Sequence, residues 1–210
     1  MPATLPGVTA ARAAEGTPPE PAGSPAAARG AIAPGGRQPV RLDLGCGTKR
    51  REGFLGVDRF VCPAVRVLGD VSRLPFGDGC ADEIWLDNVI EHVLDIPALM
   101  AEVARVGRPG CLVRVLTPHF SAVSSWRDPT HVHHLSYFSM DHFAKPSTAH
   151  YAGGGFDVVR RELQFSHSPS GWIARLIFAL SPHAYESQFC FVFRARTLYF
   201  ELVVRAPRAR

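Results

Sequence analysis

Three aspartates and a pair of glycines are the residues best placed to do chemistry in this sequence. Asp43, Gly45, Cys46 and Gly47 stand in "RLDLGCGTKRREGFLGVDRF" (41–60); Asp58 closes the next apolar run and Asp70 the one after it. Two glycines one residue apart let the chain turn sharply and let a ligand approach bare backbone. Asp43 puts a carboxylate at the mouth of that turn, which suits a cofactor bearing an ammonium group better than one bearing two phosphates. A carboxylate has four lone-pair sites, so Asp58 can accept from both hydroxyls of a ribose. Asp70 can take an adenine amino proton, with the backbone N–H of Val71 beside it. A dinucleotide fingerprint expects its acid about 20 residues beyond the glycines and a third glycine to complete the turn. Here the interval from Gly45 to Asp58 is 13 residues, and Arg50 occupies the third glycine's place.

A second set of reactive side chains lies in "TPHFSAVSSWRDPTHVHHLSYFSMDHF" (117–143). His119, His131, His133 and His134 titrate nearest neutrality and are candidate bases, with Asp128 or Asp141 to orient one of them. "HVHH" with Asp128 also offers donors for zinc or iron, but its spacing is not that of a helical HExxH site, and no metal is expected. Loop hydrogen bonds and packing are the plainer role for any one of these histidines.

The elements that position these residues read as an α/β fold. "VRLDL" (40–44), "FLGVD" (54–58), "VRVLGD" (65–70), "DEIWLD" (82–87) and "CLVRVLTP" (111–118) read as strands. "DIPALMAEVARVG" reads as a helix, with Asp95 as N-cap, Pro97 in the first turn and Gly107 just past the end. Its Leu99, Val103 and Val106 share one apolar face. "FDVVRRELQFS" (156–166) and "FVFRARTLYFELVV" (191–204) read as a closing strand pair, separated by a helical stretch with Trp172, Ile173, Leu176, Ile177 and Leu180 at helical spacing. The expected architecture is a Rossmann-like, mostly parallel sheet with an antiparallel C-terminal strand pair. Residues 1–38 are Ala/Pro/Gly-rich and expected to be disordered, 39–204 form the domain with 166–190 as a helical insertion or lid, and 205–210 are a basic tail.

Composition excludes several classes. The chain has 210 residues, 46% of them apolar, and no unbroken apolar run of spanning length. Its net charge of +4 resides in the ends, because residues 39–204 hold 17 basic and 17 acidic side chains. A nucleic-acid face on the domain is therefore not expected. Five cysteines without a CxxC pair, and an N-terminus without a secretory apolar run, suggest a reducing, cytoplasmic setting.

"LDLGCG", "GVD" and "GDVSRLPFGDGCADEIWLDNVIEHV" together resemble the class I S-adenosylmethionine-dependent methyltransferases, in particular those active on small molecules. The resemblance runs from about Val40 to Pro118 and more loosely beyond. It implies S-adenosyl-L-methionine as cofactor, with Gly45, Cys46 and Gly47 lining its methionine part, Asp58 on the ribose, Asp70 and Val71 on the adenine, and Asn88 and His92 beside the reacting methyl. Residues 117–143 would then face the acceptor, with His119, His131 and His134 as the catalytic candidates. "DPTHVHHLSYFS" is similar to a segment in related predicted methyltransferases. The expected reaction is methyl transfer to a small molecule or sugar, with O-methylation first; a non-catalytic cofactor-binding scaffold or partner subunit is the alternative, and a homodimer or a complex with a partner subunit is the assembly considered. One departure stands out. Only "TKRRE" lies between Gly47 and Gly53, and five residues of helix rise about 7–8 Å, too little for a parallel crossover. The first helix must be missing, leaving the 166–190 helix or a partner to cover that face.

Overall fold

In the computed structural model, residues 37–145 and 155–206 are described. Most of the N-terminal tail, much of the basic tail and residues 146–154 therefore lie outside the described residues. Seven described strands form one sheet: β1 (Arg41–Leu44), β2 (Leu55–Asp58), β3 (Val67–Leu68), β4 (Ala81–Asp87), β5 (Gly107–Pro118), β6 (Phe156–Phe165) and β7 (Ala195–Val204). Their spatial order is β3-β2-β1-β4-β5-β7-β6. The first five are mutually parallel. β7 runs antiparallel between β5 and β6, so the reversed strand lies inside the C-terminal half of the sheet.

This order brings the residues singled out above to one edge. In parallel strands all the carboxyl ends point the same way, and the order reverses between β1 and β4, where an open α/β sheet splits into a crevice. Asp43 and the glycine turn, Asp58, Asp70 and Asn88 all sit at that edge of four adjacent strands.

Each face of the sheet has its own chemistry. Leu42, Leu44, Ile84, Leu86, Val113 and Val115 point to the main core. Helix α1 (Ile96–Val106) closes it with Leu99, Met100, Val103 and Val106. The Asp95 side chain caps α1 by accepting from Ala98 N at 2.9 Å. The opposite face carries Trp85, Leu116 and Tyr199, with Phe54 against them. Arg41–Glu83 (3.2 Å), Arg114–Glu83, Arg114–Glu201 (3.4 Å) and Arg160–Glu201 (3.9 Å) run across it as alternating charges.

Two expectations need correction. The stretch 65–70 yields only Val67–Leu68 as strand, and 191–194 is a turn that precedes β7. The 166–190 segment begins as helix α2 (Pro169–Leu180) and ends in a π-helical turn (Tyr185–Phe189). Its Ala174, Tyr185 and Cys190 pack with Phe165 and Ala195 at the β6 end of the sheet, far in strand order from β1. It therefore does not replace the missing first helix. Arg51 helps to do so, its guanidinium lying 4.0 Å above the Trp85 ring.

Candidate active site

The glycine turn is built by its own backbone. Gly45 and Gly47 adopt φ of +68° and +53°, the left-handed region that L side chains avoid. A Cβ at Gly45 would stand 2.5 Å from Val89 Cγ2, whereas one at Gly47 would meet nothing within 4 Å. The turn is thus pressed against the β4 end on one side and open on the other. Gly45 N and Cys46 N both donate to Val57 O, at 2.7 and 3.2 Å, which ties the turn to β2 without an intervening helix.

Asp58 is aimed into the same turn. Its Oδ2 accepts from Gly47 N at 2.9 Å and its Oδ1 from Phe60 N at 3.0 Å, leaving one lone pair on each oxygen. Asp70 stands exposed one strand further out; Ser72 N and Oγ donate to its Oδ1 and hold its carboxyl below the usual carboxylate range. Val71 is half-buried against the core.

Asp43 is buried at 5% exposure. Burial pushes its carboxyl up to about 6, against the pull of Arg51 at 3.8 Å and with a further push from Asp87. The Cys46 thiol is raised to about 11, by burial first and then by the fields of Asp43 and Asp58. That shared influence sets both carboxylates around one turn. Such a donor set fits an adenosyl sulfonium amino acid: an anionic group, an open backbone cradle and a carboxylate with spare acceptor sites.

On the far side of the turn, Asn88 takes φ of +54°, a strained conformation that asparagine tolerates better than most side chains. It is fixed by Asn88 N donating to Leu116 O at 2.8 Å and by its amide donating to Asp87 Oδ1. A 3-10 turn (Ile90–His92) follows at once and delivers Glu91 inward and His92 outward. Residues 130–133 lie alongside, with Val132 N and His133 N donating to Glu91 O.

There Glu91, His92 and His131 converge, each offering one ligand atom and all three atoms within 4.8 Å of one another. Glu91 is 1% exposed. Its Oε2 accepts from Thr117 Oγ1 at 3.0 Å, while its Oε1 is buried without a partner. Burial raises its carboxyl to about 7, despite the opposing hydrogen bonds and His131.

The remaining histidines fan out. His119 is fully buried; its Nδ1 meets Ser121 and its Nε2 lies 2.9 Å from Glu186 Oε1. His133 Nε2 donates to Leu94 O at 3.2 Å, and His134 stacks on Trp126 with ring centroids 3.6 Å apart. The "HVHH" run therefore does not gather its imidazoles around one ion. Asp141 pairs with Arg161 at 2.7 Å, whereas Asp128 holds Thr130, whose hydroxyl touches His92 Nδ1 at 3.0 Å. An open recess of 390 Å³ lies nearby, lined by Ala122, Val123, Trp126, Arg127 and Phe191 among others.

Glu91, Glu186 and Arg51 escaped the sequence reading. Glu91 left one signal, a charged residue inside the apolar run "VIEHV". Glu186 left none, because its partners come from residues 119–137.

A sheet of this order with a ligand turn at its carboxyl edge, together with the likenesses that follow, supports a methyltransferase domain of the class I, S-adenosylmethionine-dependent type in this chain, with S-adenosyl-L-methionine as the cofactor of that class. Residues 54–115 match the family model described as a methyltransferase domain. An "Uncharacterized methyltransferase" of Mycobacterium sp. (strain KMS) is 30% identical over 168 residues, covering 71% of this chain and 59% of that protein. The chain thus spans less than two thirds of the curated relatives it matches at greatest length. A demethylmenaquinone methyltransferase of Mycobacterium marinum is 42% identical over 55 residues, 26% of this chain and 22% of that protein. Among solved structures, the Bacillus subtilis YcgJ protein superposes with a TM-score of 0.51 at 17% identity, covering 81% of this chain and 94% of its own. A chain of the complex between the Haloferax volcanii Trm112 methyltransferase activator and a methyltransferase gives 0.53 at 16% identity, covering 83% and 85%. At these identities the likeness is one of fold. No described helix is long and apolar enough to cross a membrane.

Proposed function

We propose that the chain transfers a methyl group from S-adenosyl-L-methionine to a hydroxyl of a small molecule or sugar. The observation that carries this reading is the glycine turn clasped to the β2 aspartate, through Gly47 N on Asp58 Oδ2 and Gly45 N on Val57 O. In this reading Asp43 receives the ammonium group, the backbone of Gly45, Cys46 and Gly47 lies along the methionine, Asp58 accepts the ribose hydroxyls, and Asp70 with Val71 borders the adenine. Asn88 and His92 flank the reacting centre. When bound, the cofactor supplies an electrophilic methyl on a sulfonium, so the protein's task is chiefly to align the acceptor oxygen and exclude water.

The acceptor side is assigned to the residues around His131. Its Nδ1 is bound to a carbonyl, Ser125 O at 3.0 Å, so Nδ1 carries the proton and Nε2 keeps its lone pair. That nitrogen suits it to act on the acceptor hydroxyl. His134, stacked on Trp126, is assigned to the acceptor recess. The saturated bonding of His119 favours an anchoring role over proton transfer. A metabolite extract fractionated after incubation with radiolabelled donor tests the reading. Label is expected in a hydroxyl-bearing small molecule and to disappear with Asp58→Ala. Label in an amine, or no label with any fraction, would overturn it.

A further inference from the structure

We infer that Glu91, His92 and His131 form a binding site for a divalent first-row transition ion. The donor set is two imidazoles and a carboxylate, the combination that catalytic zinc and related centres use while keeping a further position open. Hydrogen bonding at Nδ1 leaves Nε2 of both rings free to ligate. His131 Nδ1 donates to Ser125 O at 3.0 Å and His92 Nδ1 faces Thr130 O at 3.3 Å. A carbonyl can only accept, so in both rings the proton sits on Nδ1 and the lone pair on Nε2. Fixing the distal nitrogen to a backbone carbonyl is how proteins orient and strengthen metal-binding imidazoles.

The third ligand supplies an independent observation. Glu91 is buried at 1% exposure, and Oε1 has no hydrogen-bond partner although Oε2 is held by Thr117. A buried acceptor oxygen left without a partner is destabilising, a cost that a cation at this place removes. His92 is exposed, so the site opens outward and an ion there would keep a position for another ligand. Asp128 adds support from outside: its Oδ1 accepts from Thr130, which holds His92, and its Oδ2 lies 3.9 Å from His131 Nε2. With the ion bound, His131 Nε2 is a ligand and no longer acts on the acceptor hydroxyl itself; the ion polarises and orients the acceptor oxygen in its place, a use that rests on the acceptor-side assignment above. The ion's presence does not.

The test uses the full chain, free of any polyhistidine tag and stripped with chelator, titrated with Co²⁺ and separately with Zn²⁺. One Co²⁺ per chain is expected, with weak visible bands of nitrogen and oxygen coordination and no thiolate-to-cobalt charge transfer. His131→Ala and Glu91→Gln should each weaken it by more than ~100-fold, beyond what the loss of an outer-sphere partner usually brings. His92→Ala, at an exposed position, should do the same without disturbing the fold, and His183→Ala should leave binding unchanged. Absence of binding, thiolate bands, or unchanged affinity in both His92→Ala and Glu91→Gln would overturn the site. Stoichiometric cobalt in a protein that methylates nothing would overturn the proposed function instead and leave the ion site standing.

Discussion

Two glutamates meet histidines of the same segment, and they meet them differently. Glu186 is saturated: it accepts from His119 Nε2, Ser136 Oγ and Tyr137 N at 2.9, 3.0 and 2.6 Å. Burial alone would raise its carboxyl, but those hydrogen bonds prevail and hold it below the usual glutamate range. Glu91 is buried more deeply, keeps one oxygen without a partner, and its carboxyl is pushed up to about 7. Residue type is the same in both places. Depth of burial differs somewhat, and the use of bonding capacity differs more; unused capacity at a sheet edge is what separates a site from a strut. Asp43, buried and raised to about 6 beside the glycine turn, belongs with Glu91.

The largest expected effect comes from the saturated partner. Glu186→Ala leaves fully buried His119 with an unpaired ring nitrogen and should cost about 3 kcal/mol in urea unfolding. The stability Glu186 contributes is present above the normal glutamate pKa and is lost as pH falls through its lowered folded value. An unfolding midpoint unmoved by Glu186→Ala would dissolve the contrast. The next effect is on the donor side. Asp43 must be ionised to receive an ammonium group, so S-adenosylhomocysteine affinity should be level above pH about 6 and fall up to about tenfold per unit below it. Asp43→Asn should bind more weakly at neutral pH and lose that pH dependence; a wild-type profile flat through this range would remove Asp43 from the site. The smallest effect sharpens the comparison most. Glu91→Gln keeps an acceptor for Thr117 and gives up no saturated ion pair, so its unfolding free energy should change by less than about 1 kcal/mol. A loss as large as that of Glu186→Ala would make Glu91 a strut as well.

The donor half was readable because its geometry is local. Two glycines forced by positive φ, aspartates at strand ends and the Asp95 cap each depend on residues within a few positions, and the parallel order follows from strands joined by crossovers. The 13-residue interval that looked anomalous corresponds to a turn bonded directly to Val57 O. The acceptor half was not readable. Its pairs span 26 to 67 positions, from Thr117 with Glu91 to His119 with Glu186, and no periodicity announces them. Four histidines looked equivalent in sequence, and only packing separated the buried anchor His119 from His131. Cover for the helix-less face was also unforeseeable, since it comes in part from one arginine lying flat on Trp85.

The claim beneath all of this is that the glycine turn and the aspartate clasping it hold the adenosyl cofactor. Calorimetric titration of S-adenosylhomocysteine into the wild-type chain and into Asp58→Ala, with NADH as the control ligand, measures it directly. The account predicts one site, no uptake of NADH, and a loss of about 1–3 kcal/mol in binding free energy for the variant. Equal affinity in the two proteins, or a preference for NADH, would contradict it.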